Sequence, residues 1–231
     1  MMSTDRLIEQ LAANLEPVEP LRAPGRRAAA FMLGATLYVA LLTLAIARPG
    51  ATSRGVDPAV LVPQLVALVA SLLAVRAAFA SVVPGHDRSA LIWAAIGVVA
   101  WIGALAVSAF GSGASAEHEA VLGARHELWC VALILAGGAP LVVALAAMLR
   151  HGAPLRPITT ATLGAVAIGS LANVAACFWT PHADRISAFF WHGGAIVALV
   201  LVCAAGAPFV LSWRAARRRA AGLARTSNGA V

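Results

Sequence analysis

Residues 158–179 read ITTATLGAVAIGSLANVAACFW, an apolar stretch without one Asp, Glu, Lys or Arg. A bilayer core about 30 Å thick is crossed by a helix of about 20 apolar residues, and this run is long enough. Its alanines, glycines and serine suit helices that pack closely in lipid. Its residues are apolar on every side, without the in–out alternation of a membrane strand, which excludes a β-barrel.

Five more runs of the same kind flank it: Ala28–Ala47, Pro58–Val82, Ala90–Phe110, Glu127–Leu149 and Ile186–Ser212. The 231-residue chain is 61% hydrophobic and 12% charged, against about 25% charged in a soluble domain. Disordered, collagen-like and ordinary cytosolic-enzyme classes are excluded. Three cysteines exclude a disulfide-dense secreted scaffold. The sequence therefore predicts an all-α polytopic membrane protein with six transmembrane helices. Residues 48–57, 83–89 and 150–157 carry the turn residues Pro49, Gly50, Pro84, Gly85, Gly152, Pro154 and Pro157. Residues 180–185 form a tight turn, and Gly111–His126 is the longest internal loop. The first run is too long for the core of a cleaved signal peptide, and an acidic segment precedes it.

Sidedness follows from arginine, because the chain has 17 Arg, no Lys and a net charge of +7. The arginines flank apolar runs, which assigns them to membrane orientation rather than to nucleic acid. Alternate sides of the six spans collect Arg6, Arg22, Arg26, Arg27, Arg88, Arg150, Arg156, Arg214, Arg217, Arg218, Arg219 and Arg225 against Arg48, Arg54, Arg125 and Arg185. Arg76, inside the second run, snorkels toward the first set. The positive-inside bias predicts that both termini are cytoplasmic. Three units result: residues 1–27 before the membrane, 28–212 within it, and a basic tail, 213–231.

The segment Thr4–Leu15 has the pattern of a short amphipathic helix, with Leu7, Leu11 and Leu15 at four-residue intervals and Ile8 beside them. Ser3 or Thr4 is placed to cap it, and Asp5 favours its first turn. Two uses are open. The helix lies on the bilayer or on the protein's own loops, or its leucine stripe enters a groove on a cytosolic partner. Asp5 and Glu9 on the polar face argue against anionic lipid.

The predicted topology puts Cys130, Cys177, His126, His182 and His192 at one level, near the outer face. His118 lies in the adjoining loop, and Cys203 is about 16 Å deeper than His192. Cys130 and Cys177, on consecutive spans, are placed to face each other. A reversible disulfide, a zinc or copper site, and two inert buried thiols all fit this spacing. No Cys-x-x-Cys or His-x-x-x-His pair favours the metal. Trp129, Trp179 and Trp191 belong to the interfacial belt. Within the spans Arg76 and Asn173 are the notable polar residues, and Asn173 is expected to bond a neighbouring helix. Ala165 and Gly169 form a small-xxx-small pair. Gly137, Gly138 and Pro140 interrupt the fourth run, and Pro208 the sixth.

The chain resembles the NrsF family of six-span bacterial membrane anti-sigma factors. The resemblance rests on Thr4-Asp5 with Leu7-Ile8 and Leu11-Ala12, on Pro17-Val18-Glu19-Pro20-Leu21-Arg22, and on Val83-Pro84-Gly85. It continues through Trp129-Cys130, residues 148–157 (MLRHGAPLRP), Pro181-His182 and Trp191-His192-Gly193. The resemblance implies an inner-membrane protein whose N-terminal segment, through Leu7, Ile8, Leu11 and Leu15, binds an extracytoplasmic-function sigma factor. It also implies that Cys130 and Cys177 sense oxidants or heavy metals. By their level, His126, His182 and His192 are placed either to tune the thiols or help bind metal, or to serve the structure alone. No enzymatic activity, cofactor or direct nucleic-acid contact is expected. The rival is a membrane thiol–disulfide or metal-handling enzyme or carrier.

Overall fold

The computed structural model describes residues 4–13, 22–46, 58–83, 85, 88–111, 120–152, 154–179 and 185–211. They form the helices α1 (Thr4–Ala13), α2 (Pro24–Ile46), α3 (Pro58–Ala80), α4 (Ser89–Phe110), α5 (Ala120–Arg150), α6 (Pro157–Trp179) and α7 (Arg185–Val210). Six of these, α2–α7, are long and apolar enough to cross a membrane, and the described residues include no strand. Proline opens α2, α3 and α6, where its missing N–H is not needed and its fixed φ suits the first turn. Gly85, between α3 and α4, has φ +75°, a left-handed conformation that glycine adopts without strain.

Two boundaries differ from the hydropathy runs. The first spanning helix begins at Pro24 and takes Arg26 and Arg27 into its opening turns. The helix expected at Glu127 begins at Ala120, so part of the expected outer loop is helical. Hydropathy marks where a helix becomes apolar, whereas backbone hydrogen bonds continue through the polar turns beyond.

The bundle is built around α6, which packs on α2, α3, α5 and α7. Of its spanning stretch 72% is buried, against 22% for α2, α4 and α7, so α6 is the central helix and those three face outward. Small residues allow the close approach. A methyl group on Gly169 would lie 2.9 Å from Ile196 of α7. One on Gly97 of α4 would lie 3.3 Å from the Ala70 backbone of α3. Leucines 33, 37, 41 and 44 of α2, Ile92, Ile96 and Val99 of α4, and Leu201, Val202 and Phe209 of α7 are exposed. Such a belt fits lipid as its solvent.

Pro140 lies inside α5, which continues through it. A proline disrupts the carbonyls one turn before it, and neighbouring helices can re-satisfy them. Close to that break, the Tyr38 hydroxyl of α2 donates to the Gly137 carbonyl at 3.1 Å. Ser71 of α3 likewise donates to the Ala167 carbonyl of α6 at 2.8 Å. The helix α1 shares no extended contact with α2–α7 among the described residues.

Candidate functional site

A polar cluster lies at the bundle end formed by the C-terminal turns of α6 and the first turns of α7. Asn173 and Cys177 stand four residues apart on α6, which puts them on one helix face. His192 reaches them from the second turn of α7. Its Nδ1 is 2.7 Å from Asn173 Oδ1, and both residues are buried. Cys177 Sγ is 3.9 Å from Asn173 Oδ1 and 3.9 Å from His192 Nδ1. Asn173 thus bonds a neighbouring helix, as its position in an apolar run implies.

Cys130 of α5, the helix that packs on α6, is fully buried. Neither Cys130 nor Cys177 is in a disulfide. The helix α5 presents Trp129 outward beside Cys130, as an interfacial tryptophan requires. Gln64 of α3, absent from the expected site, is buried and faces the Cys177 thiol. Its signal is a lone amide amid apolar residues, where polar groups are costly and usually have a purpose. Gln64 Oε1 and Asn173 Nδ2 are buried without a hydrogen-bond partner among the described residues.

His182 lies outside the described residues, and so does the side chain of His126, although its backbone is in α5. His118 is outside as well. Cys203 is partly buried against the core on α7. Among the described residues no group of three or more His, Cys, Asp or Glu is arranged to hold a metal ion.

The opposite end of the bundle carries a second arrangement. Arg27, in the opening turns of α2, donates through Nη2 to the Met148 carbonyl of α5. Its guanidinium lies 4.6 Å from the ring centroid of Phe79 at the end of α3. Met148 is among the last residues of α5, whose carbonyls lack helical partners and attract positive charge. Nearby, the hydroxyls of Ser81 and Thr160 meet at 2.8 Å. On α1, which precedes α2 in the chain, Ile8 is exposed. The side chains of Leu7 and Leu11, and all of Leu15, lie outside the described residues.

Six spanning helices with a buried polar cluster toward one end, and a short helix before them in the chain, define a small multi-pass membrane protein. The sequence profile of NrsF, negative regulator of sigma F, matches residues 11–213, and the chain belongs to this family. No curated protein and no solved structure matches it.

Proposed function

We propose that the protein is a membrane-bound anti-sigma factor that holds an extracytoplasmic-function sigma factor at the bacterial inner membrane. The carrying observation is the family match over residues 11–213, which takes in the whole membrane bundle. Both termini are cytoplasmic, in line with the arginine bias. Residues 1–27 form the docking segment, with Leu7, Ile8, Leu11 and Leu15 as its apolar stripe. The exposure of Ile8 supports an accessible docking face. Residues 28–212 anchor it, and the basic tail 213–231 reinforces the orientation.

The release signal enters at the far end. Oxidants or thiophilic metals modify Cys130 and Cys177, helices α5–α7 repack, and the docking segment loses its partner. The packing of α5, which carries Cys130, on α6, which carries Cys177, supports this. So does the Arg27–Met148 contact, which ties the start of α2 to the end of the helix bearing Cys130. Shifting a partner from 1% to 99% released needs about 5.5 kcal/mol, which covalent bond formation supplies and a weak surface contact does not.

The test is capture of the sigma factor by the full-length protein in nanodiscs. Leu11→Asp removes a leucine whose burial against the sigma factor would be worth about 2 kcal/mol, so the Kd rises at least about 30-fold. Undiminished capture by Leu11→Asp and Ile8→Asp variants refutes the docking segment. Cys130→Ser and Cys177→Ser keep capture and lose stress-induced release, and normal induction in the double variant removes the sensing step.

A further inference from the structure

We infer that Asn173 is a positioning residue that keeps the Cys177 thiol protonated by holding His192 in its Nδ1–H form. The consequence for signalling rests on the proposed sensing role of Cys177. An amide oxygen only accepts hydrogen bonds. With Asn173 Oδ1 2.7 Å from His192 Nδ1, the proton of this pair therefore sits on Nδ1. The same nitrogen is 3.9 Å from Cys177 Sγ.

A histidine activates a cysteine by taking its proton on the nitrogen that faces the sulfur, and only the thiolate is nucleophilic. Here the lone pair needed for that transfer is replaced by an N–H committed to Asn173. The thiol directs its own hydrogen to the same Oδ1, 3.9 Å away. One amide oxygen thus receives both hydrogens and separates a cysteine–histidine pair that would otherwise be reactive.

The backbone arrangement reinforces the restraint. Asn173 lies one turn beyond Gly169 on α6, and His192 one turn before Ile196 on α7. The close Gly169–Ile196 packing therefore fixes the separation of the two side chains. Asn173 accordingly sets how resistant Cys177 is to thiol-directed reagents, and through it the threshold of the sensor.

The experiment uses the full-length protein in nanodiscs with Cys130→Ser and Cys203→Ser, treated at one fixed pH with methyl methanethiosulfonate. The Cys177 thiol gives up its proton and attacks the reagent's sulfur–sulfur bond. An S-methyl mixed disulfide forms and methanesulfinate leaves, followed by intact mass. Asn173→Leu is expected to accelerate the reaction by about 100-fold, the low end of what a positioned base contributes. Adding His192→Phe returns it to the parent rate, and His192→Phe alone changes nothing. Nitrogen-15 spectra of the parent protein show the His192 proton on Nδ1.

A proton on Nε2 overturns the proposal. So does an unchanged rate in Asn173→Leu, an equal acceleration with and without His192, or slowing by His192→Phe alone. If Asn173→Leu fails to fold, the tautomer and the His192→Phe rate decide. No sigma factor is present, so these outcomes are independent of whether the docking proposal holds.

Discussion

Replacing Gly169 by alanine adds a methyl group where α6 packs on α7. Its carbon would lie 2.9 Å from Ile196 Cγ2 and 3.1 Å from Cγ1, about 0.6 Å inside the ~3.5 Å of ordinary carbon contact. If the helices separate by that amount, the 2.7 Å Asn173–His192 bond stretches to about 3.3 Å, past the favourable range. Alanine gains up to about 1 kcal/mol over glycine in helix propensity. Overpacking costs about 1–3 kcal/mol, and weakening a bond between membrane helices about 0.6 kcal/mol. The expected result is a net loss of about 1–2 kcal/mol.

Equilibrium unfolding in mixed micelles, followed by tryptophan fluorescence, measures that loss. Ile196→Ala removes both offending carbons, so the double variant should be more stable than the sum of the single effects by at least about 1 kcal/mol. Additivity within about 0.5 kcal/mol would refute the contact as the source of the strain.

Two further perturbations probe the other helix contacts. Gly97→Val should damage the α3–α4 interface more than Gly169→Ala damages α6–α7, because the added carbon approaches the Ala70 backbone at 3.3 Å as well as Leu73 at 2.9 Å. The same unfolding assay reads it, and a loss under about 1 kcal/mol would contradict the geometry. Arg27→Ala removes the interaction with the Met148 carbonyl and the stacking on Phe79. For a partly exposed arginine these contribute together about 1–2 kcal/mol, and Arg27→Lys should recover only the charge-dependent part. Full recovery by lysine would show that the planar stack contributes nothing.

Much of the protein was legible in its residues because lipid simplifies the problem. Without water in the bilayer core, a long apolar run must satisfy its own backbone, and it does so as a helix. The six spans follow from that rule alone, and the boundary shifts at Pro24 and Ala120 arise where the chain leaves the region to which the rule applies. Asn173 was legible for the same reason, as an amide amid apolar neighbours. Gln64 is an equal amide amid apolar neighbours, but its association with the site arises only when α3 brings it beside Cys177.

The sequence by itself determined the number of helices, their order and the arginine asymmetry, since each depends on local composition against a slab of fixed thickness. It left open how each helix is rotated about its axis, because runs that are apolar on all sides give no preferred inward face. Tertiary packing made that choice. Gly169 against Ile196 and Gly97 against Ala70 admit only certain rotations. The first of these puts His192 on Asn173, and the packing of Gly137 of α5 on Leu42 of α2 accompanies Arg27 on Met148. Partnerships between residues far apart in the chain are fixed by the shape of helix surfaces in contact, and hydropathy carries no record of that shape.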